Sequence, residues 1–206
     1  MIQYLLFDFD GTLVDSKEAF LAGFNQLAAR EGFKPMLPEE VPYLRTLTIA
    51  QRAQYLNFPL YKLPFFTLRF YRLYKQQLST VTLFPGIKEL LQSLAEKGVQ
   101  PVILSSNSES IIREFLQRQG ITAVRDVLTS SRIFGKDKLL NRFLKAKKLI
   151  PAQVLYVGDE LRDILACQKC GIKVAWVSWG YDAWEVVQPA HPDYVLHTPQ
   201  QLLEIL

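Results

Sequence analysis

Cysteine, histidine and methionine are scarce in this 206-residue chain, at two each. The two cysteines, Cys167 and Cys170, offer no disulfide framework and agree with a reducing compartment. Their spacing is that of a redox pair, yet they fall late in an apolar helical pattern rather than at a helix N-terminus, where a thiolate would be stabilised. His191 and His197 lie in a Pro-containing tail with no chemical partner in sequence. No apolar run approaches the roughly 18 to 20 residues of a membrane span. Met1 leads into the first apolar run without the basic segment of a leader. The expectation is a protein of the cytoplasm with no membrane association, as monomer or homodimer.

Hydrophobic residues make up 49% and charged residues 21% of the chain, ordinary for a globular protein, which excludes disorder as its class. The formal net charge is +4. Residues 16–81 alone carry nine Lys or Arg against four Glu, so the whole excess sits in one segment. No nucleic-acid-binding motif has the required spacing. A basic segment suits solvated helix faces, or the steering of a small anionic ligand.

Two regions differ in pattern. From residue 82 onward, short apolar runs at Val102-Ile103-Leu104, Val127-Leu128, Val154-Leu155-Tyr156-Val157, Lys173 to Val177 and Tyr194-Val195-Leu196 alternate with helical patterns. That alternation predicts an α/β fold, a doubly wound parallel sheet. Residues 16–81 show helical periodicity, with Phe20, Phe24 and Leu27 on one face and an aromatic-rich stretch from Phe65 to Tyr71. Asp15 and Ser16 are the candidate N-caps of the first helix. The predicted division is a core of residues 1–15 and 82–206 with an all-helical insertion at 16–81.

The densest chemical signal is Asp8-Phe9-Asp10-Gly11-Thr12-Leu13, which follows the apolar run Tyr4-Leu5-Leu6-Phe7. Two carboxylates at the carboxyl end of a buried strand are poorly explained by folding alone. In open α/β sheets ligands bind at that edge, and a hard cation such as Mg²⁺ between carboxylates and a phosphate relieves their repulsion. Phosphoryl transfer is the chemistry this suggests. Further along stand Ser105-Ser106-Asn107 after one strand, Lys136 after Gly135, and Gly158-Asp159-Glu160-Leu161-Arg162-Asp163 after another.

These four elements, in this order, resemble the motifs of the haloacid dehalogenase superfamily of phosphohydrolases, whose core is Rossmann-like. The resemblance implies that Asp8 is the nucleophile of an aspartyl-phosphate mechanism and that Asp10 acts as general acid and then base. It implies that the Asp8 side chain, the Asp10 carbonyl and the Asp159 side chain hold Mg²⁺. Lys136 would supply positive charge to the phosphoryl oxygens, with Lys138 a rival. A serine with neighbouring N–H groups would bind phosphate; counting back from Gly120 favours Ser105 over Ser106, with Asn107 alongside. Asp163 fits the acidic partner that orients the lysine or a metal-bound water. Glu160 reads either as a first-turn acid favoured by the helix dipole or as a support for the metal through a water. Taken alone, Ser105 and Asp163 read as structural, a helix cap and a first-turn acid.

A helical insertion after the first motif resembles the cap of phosphoglycolate phosphatases and β-phosphoglucomutases, which closes over the site and selects the substrate. The implied activity is Mg²⁺-dependent hydrolysis of a small phosphomonoester, phosphoglycolate-like. A phosphosugar mutase needs the same Asp8 and Asp10, and a catalytically quiet binding protein on the same fold is the alternative of another class. Arg45, near an expected loop between insertion helices, is the candidate substrate contact. The stretch from Tyr55 to Tyr74 departs from any pattern tied to phosphoglycolate.

Overall fold

The computed structural model describes residues 1–130 and 135–206. The chain opens with β1 (Tyr4–Phe7). Leu5 and Phe7 enter one apolar cluster and Leu6 another on the opposite face. Burial on both faces is why this strand is continuously apolar instead of alternating. Gly11, at φ 80°, turns the backbone, and the N–H groups of Leu13 and Val14 both reach the Phe9 carbonyl. This tight loop delivers β2 (Val14–Asp15).

The insertion carries α1 (Lys17–Glu31), α2 (Val41–Arg45), α3 (Ile49–Tyr55) and α4 (Leu63–Gln76). Phe20 meets Phe70 at 5.1 Å between ring centres, and Phe24 meets Phe66 at 5.6 Å, fastening α1 to α4. Phe24, Met36, Leu44, Leu56 and Phe58 form an apolar cluster of the insertion's own. Thr48 caps α3, its hydroxyl accepting from the Gln51 N–H. Of the two N-cap candidates for α1, Asp15 accepts the Lys17 N–H, whereas the Ser16 hydroxyl pairs with Tyr181.

The insertion ends at β3 (Thr82–Leu83), antiparallel to β2, so a short ribbon ties its entry to its exit. Two-residue strands have no periodicity to read, and this ribbon is absent from the sequence expectation. There follow α5 (Ile87–Glu96), β4 (Gln100–Ser105), α6 (Glu109–Arg118), β5 (Asp126–Thr129), α7 (Lys136–Lys147), β6 (Val154–Gly158), α8 (Leu161–Cys170), β7 (Lys173–Val177), α9 (Trp184–Val187), β8 (Tyr194–Leu196) and α10 (Gln201–Glu204).

Among the described residues the main sheet has six parallel strands in the order β5-β4-β1-β6-β7-β8. Leu90, Leu91, Ile111 and Phe115 from α5 and α6 pack on one face; Leu140, Phe143, Ile164 and Cys167 from α7 and α8 pack on the other. The chain leaves β1 toward β4 and leaves β6 toward β7, so the strand order reverses between β1 and β6. Phe7 pairs in register with Ile103 and with Val157. The residues that follow these strands therefore meet at one edge, at the switch point where open α/β sheets bind ligands.

Candidate active site

Asp8, Ser105, Lys136, Asp159 and Asp163 are each no more than 2% exposed. Asp8 leaves the central strand with one carboxylate oxygen accepting from the Phe9 N–H at 2.7 Å and the other from the Lys136 ammonium at 2.6 Å. Lys136 begins α7, where Gly135 at φ 132° lets the backbone turn. Its ammonium also donates to Asp163 at 2.6 Å and to the Tyr156 hydroxyl at 3.0 Å. Burial works to discharge this lysine, but Asp163 and Asp8 outweigh it and hold its pKa above the ordinary value. Burial pushes Asp8 up to about 7, against the pull of Lys136.

Asp159 is fixed from two sides. The Thr12 hydroxyl donates to one oxygen and the Tyr181 N–H to the other, both at 2.7 Å. A side chain at Gly11 or Gly180 would run into this carboxylate, so both positions need glycine for space. Burial, reinforced by Glu160 and Asp8, holds the Asp159 carboxyl well above its usual range. The loop after β7 that carries Gly180 and Tyr181 has no motif, and sequence reasoning missed it.

Asp10 is partly exposed and receives two donors, the Tyr74 hydroxyl at 2.6 Å on one oxygen and the Asn107 amide at 2.9 Å on the other. Burial raises its pKa, and the Tyr74 and Asn107 hydrogen bonds oppose the rise. The two serines differ: Ser105 is buried with its hydroxyl accepting the Asn107 N–H, whereas Ser106 is half-buried and accepts from the Tyr71 hydroxyl at 3.3 Å.

Carboxylate oxygens of Asp8, Glu160 and Asp163 lie within 4.8 Å of one another. Asp159, whose oxygens accept from Thr12 and Tyr181, stands outside this trio, and Glu160 stands within it. With Asp159, four buried carboxylates face the cations Lys136 and Arg162. Arg162 pairs with Glu160, contacts the sequence did not reveal because position 162 is variable in the motif as read. The remaining negative surplus and the all-oxygen donor set suit a hard divalent cation.

Arg45, the expected substrate contact, lies against the loop after β7. Its guanidinium donates to the Ser178 carbonyl at 2.9 Å, and its own carbonyl accepts from the Ala183 N–H. These contacts join the insertion to that loop, while the Arg45 Nε is buried with no hydrogen-bond partner among the described residues. Arg52, one of the lining residues of a cavity of about 190 Å³ between insertion and core, is held there by Asp182. Ser106, Glu160 and Arg162 line the same cavity.

Residues 5–177 match the family model described as haloacid dehalogenase-like hydrolase. The chain belongs to this family. A phosphoglycolate phosphatase of Synechococcus elongatus is 35% identical, across 98% of this chain and 96% of that protein. One from Haemophilus influenzae (strain 86-028NP) is 29% identical, across 97% and 96%. Among solved structures, a predicted phosphatase from Clostridium acetobutylicum superposes with a TM-score of 0.83 at 18% identity, covering 99% of each chain. CbbY from Rhodobacter sphaeroides in complex with phosphate gives 0.72 at 20%, covering 98% of this chain and 97% of that one. These last two show likeness of fold.

Proposed function

We propose that this chain, a phosphoric monoester hydrolase by its family and relatives, hydrolyses a small phosphomonoester with Mg²⁺ through an aspartyl-phosphate at Asp8. The observation that carries the reading is the 2.6 Å pairing of Lys136 with both Asp8 and Asp163 in a buried, carboxylate-rich pocket at the switch point. Lys136 orients the Asp8 carboxylate and offers positive charge to phosphoryl oxygens. Asp163 holds the lysine in place. Asp8 attacks phosphorus, and Asp10 gives its proton to the leaving alkoxide, then takes one from the water that cleaves the acyl phosphate.

Asp8, the Asp10 carbonyl and Asp159 would hold Mg²⁺, with Glu160 beside them. When bound, the ion neutralises charge on carboxylate and phosphoryl oxygens. Ser106 is our choice for the phosphate-binding hydroxyl, since Ser105 is buried and engaged, with Asn107 steering Asp10. Residues 16–81 act as a cap over the core formed by 1–15 and 82–206, excluding water until the intermediate is ready.

The substrate is a small phosphorylated metabolite, and 2-phosphoglycolate is the reference ester because two relatives carry that name. No helix among the described residues is long and apolar enough to cross a membrane. The test is phosphate release from a panel of phosphomonoesters with and without Mg²⁺. Metal-dependent release supports the reading. Transfer to give a sugar bisphosphate without net release favours a mutase, and silence with every compound contradicts catalysis.

A further inference from the structure

The cavity between insertion and core opens at one end on the residues that surround the phosphoryl site, Ser106, Glu160 and Arg162. Phe24, Leu56, Phe58, Phe66 and the small Ala53 also line it, all in or against one apolar cluster. Glu160, which has a carboxylate oxygen within 4.8 Å of one of Asp8, joins this space to the phosphoryl site. Four polar side chains of the lining have partners within the fold, and Ser106 stands with the phosphoryl site. Arg52 pairs with Asp182 and Arg162 with Glu160; the Thr67 hydroxyl donates to the Leu63 carbonyl; Tyr71 donates to Ser106. A carboxylate or a polyhydroxyl group set against Phe24, Leu56, Phe58 and Phe66 would lose its water and gain no partner there. An apolar group would gain by leaving water.

We infer that the leaving group is an apolar alcohol, of one ring or about six carbons, in place of the carboxylated or polyhydroxyl alcohols of phosphoglycolate and sugar phosphates. The inference rests on the phosphatase reading above. Size follows from volume: an apolar cavity of about 150 Å³ takes up benzene, and this one measures about 190 Å³. The aromatic stretch that fits no phosphoglycolate pattern then has a use, because Phe66 from α4 supplies part of the wall.

The test is kcat/KM of the full chain with Mg²⁺ along straight-chain alkyl phosphates from methyl to hexyl, with benzyl phosphate and 2-phosphoglycolate beside them. The alcohols differ little in acidity, so the series reads binding of the alkyl group. The expected result is a rise of about fourfold per methylene, with hexyl and benzyl phosphate above 2-phosphoglycolate. In Ala53→Phe, which fills the cavity, the slope along the series should flatten. A flat wild-type series, or a preference for 2-phosphoglycolate, overturns the inference and leaves the phosphatase standing. No release from any ester, methyl phosphate included, overturns both. The wild-type series decides the matter whether or not the Ala53 variant folds.

Discussion

The Tyr74 hydroxyl donates a 2.6 Å hydrogen bond to Asp10, tying the last turn of α4 to the carboxyl proposed as acid and base. Asp10 sits on the core loop and Tyr74 on the insertion, so the position of one element governs the surroundings of the other. Burial raises the Asp10 pKa and this hydrogen bond holds it down. In Tyr74→Phe burial is less opposed and Asp10 keeps its proton to higher pH. The basic limb of the kcat/KM profile should therefore move upward. A hydrogen bond to a charged group is worth about 1.5–3 kcal/mol, so kcat should fall roughly 10- to 100-fold. A pH-rate profile of the variant checks both.

Lys136→Met strips Asp8 and Asp163 of their shared cation. Breaking a buried pair costs about 3–5 kcal/mol, and denaturant unfolding should register a loss of that order. Phosphate release should disappear. A variant as stable as the wild type would mean that the two carboxylates do not depend on the lysine.

The buried carboxylates also set a pH dependence in the metal-free protein. Asp8 has its pKa raised to about 7 by burial, whereas an unfolded aspartate titrates near ~3.9. Between these values the folded state binds the extra proton. The stability this contributes is complete below the unfolded pKa and lost as pH climbs through the folded one. Mg²⁺ binds the ionised carboxylates, so the thermal shift it produces should be larger at pH 8 than at pH 5. At a hundredfold excess over Kd the stabilisation is about 2.7 kcal/mol. Scanning calorimetry at both pH values checks this, and an equal shift would contradict it.

Arg52 bridges insertion and core by meeting Asp182, the Tyr181 carbonyl and the Leu44 carbonyl together. Asp182 in turn accepts the Leu161 N–H at 2.7 Å, so the bridge ends on the helix that carries Asp163. Arg52→Ala should lower kcat/KM by about tenfold, or ~1.4 kcal/mol, and speed proteolysis within residues 41–55. Arg52→Lys should not restore it, since an ammonium lacks the planar fork that meets several acceptors at once.

Asp8, Lys136, Asp159 and Asp163 were legible before any fold because each lies beside a local mark, a strand end, a glycine or a helix start. The six strands of the main sheet were legible for a similar reason, since apolar runs between helical patterns leave few other folds. Tyr74 had no such mark. Thr67, Phe70 and Tyr74 are the buried positions of α4, so the tyrosine reads as ordinary core while its hydroxyl reaches Asp10. The docking contacts of Arg45 and Arg52 depend on how the insertion seats on the loop after β7, more than 120 residues away in sequence. No local pattern encodes it. The serines were separable only by burial, because adjacent hydroxyls at a strand end point in different directions.

The central claim is covalent capture of the phosphoryl group by Asp8. The most direct measurement is a rapid acid quench during single turnover with Mg²⁺ and the best ester of the panel, followed by borohydride reduction and peptide mass spectrometry. The account predicts homoserine at position 8, dependent on substrate and absent from Asp8→Asn, which should fold normally and release no phosphate. An unmodified Asp8 at every quench time while phosphate accumulates, or turnover by Asp8→Asn, would contradict it.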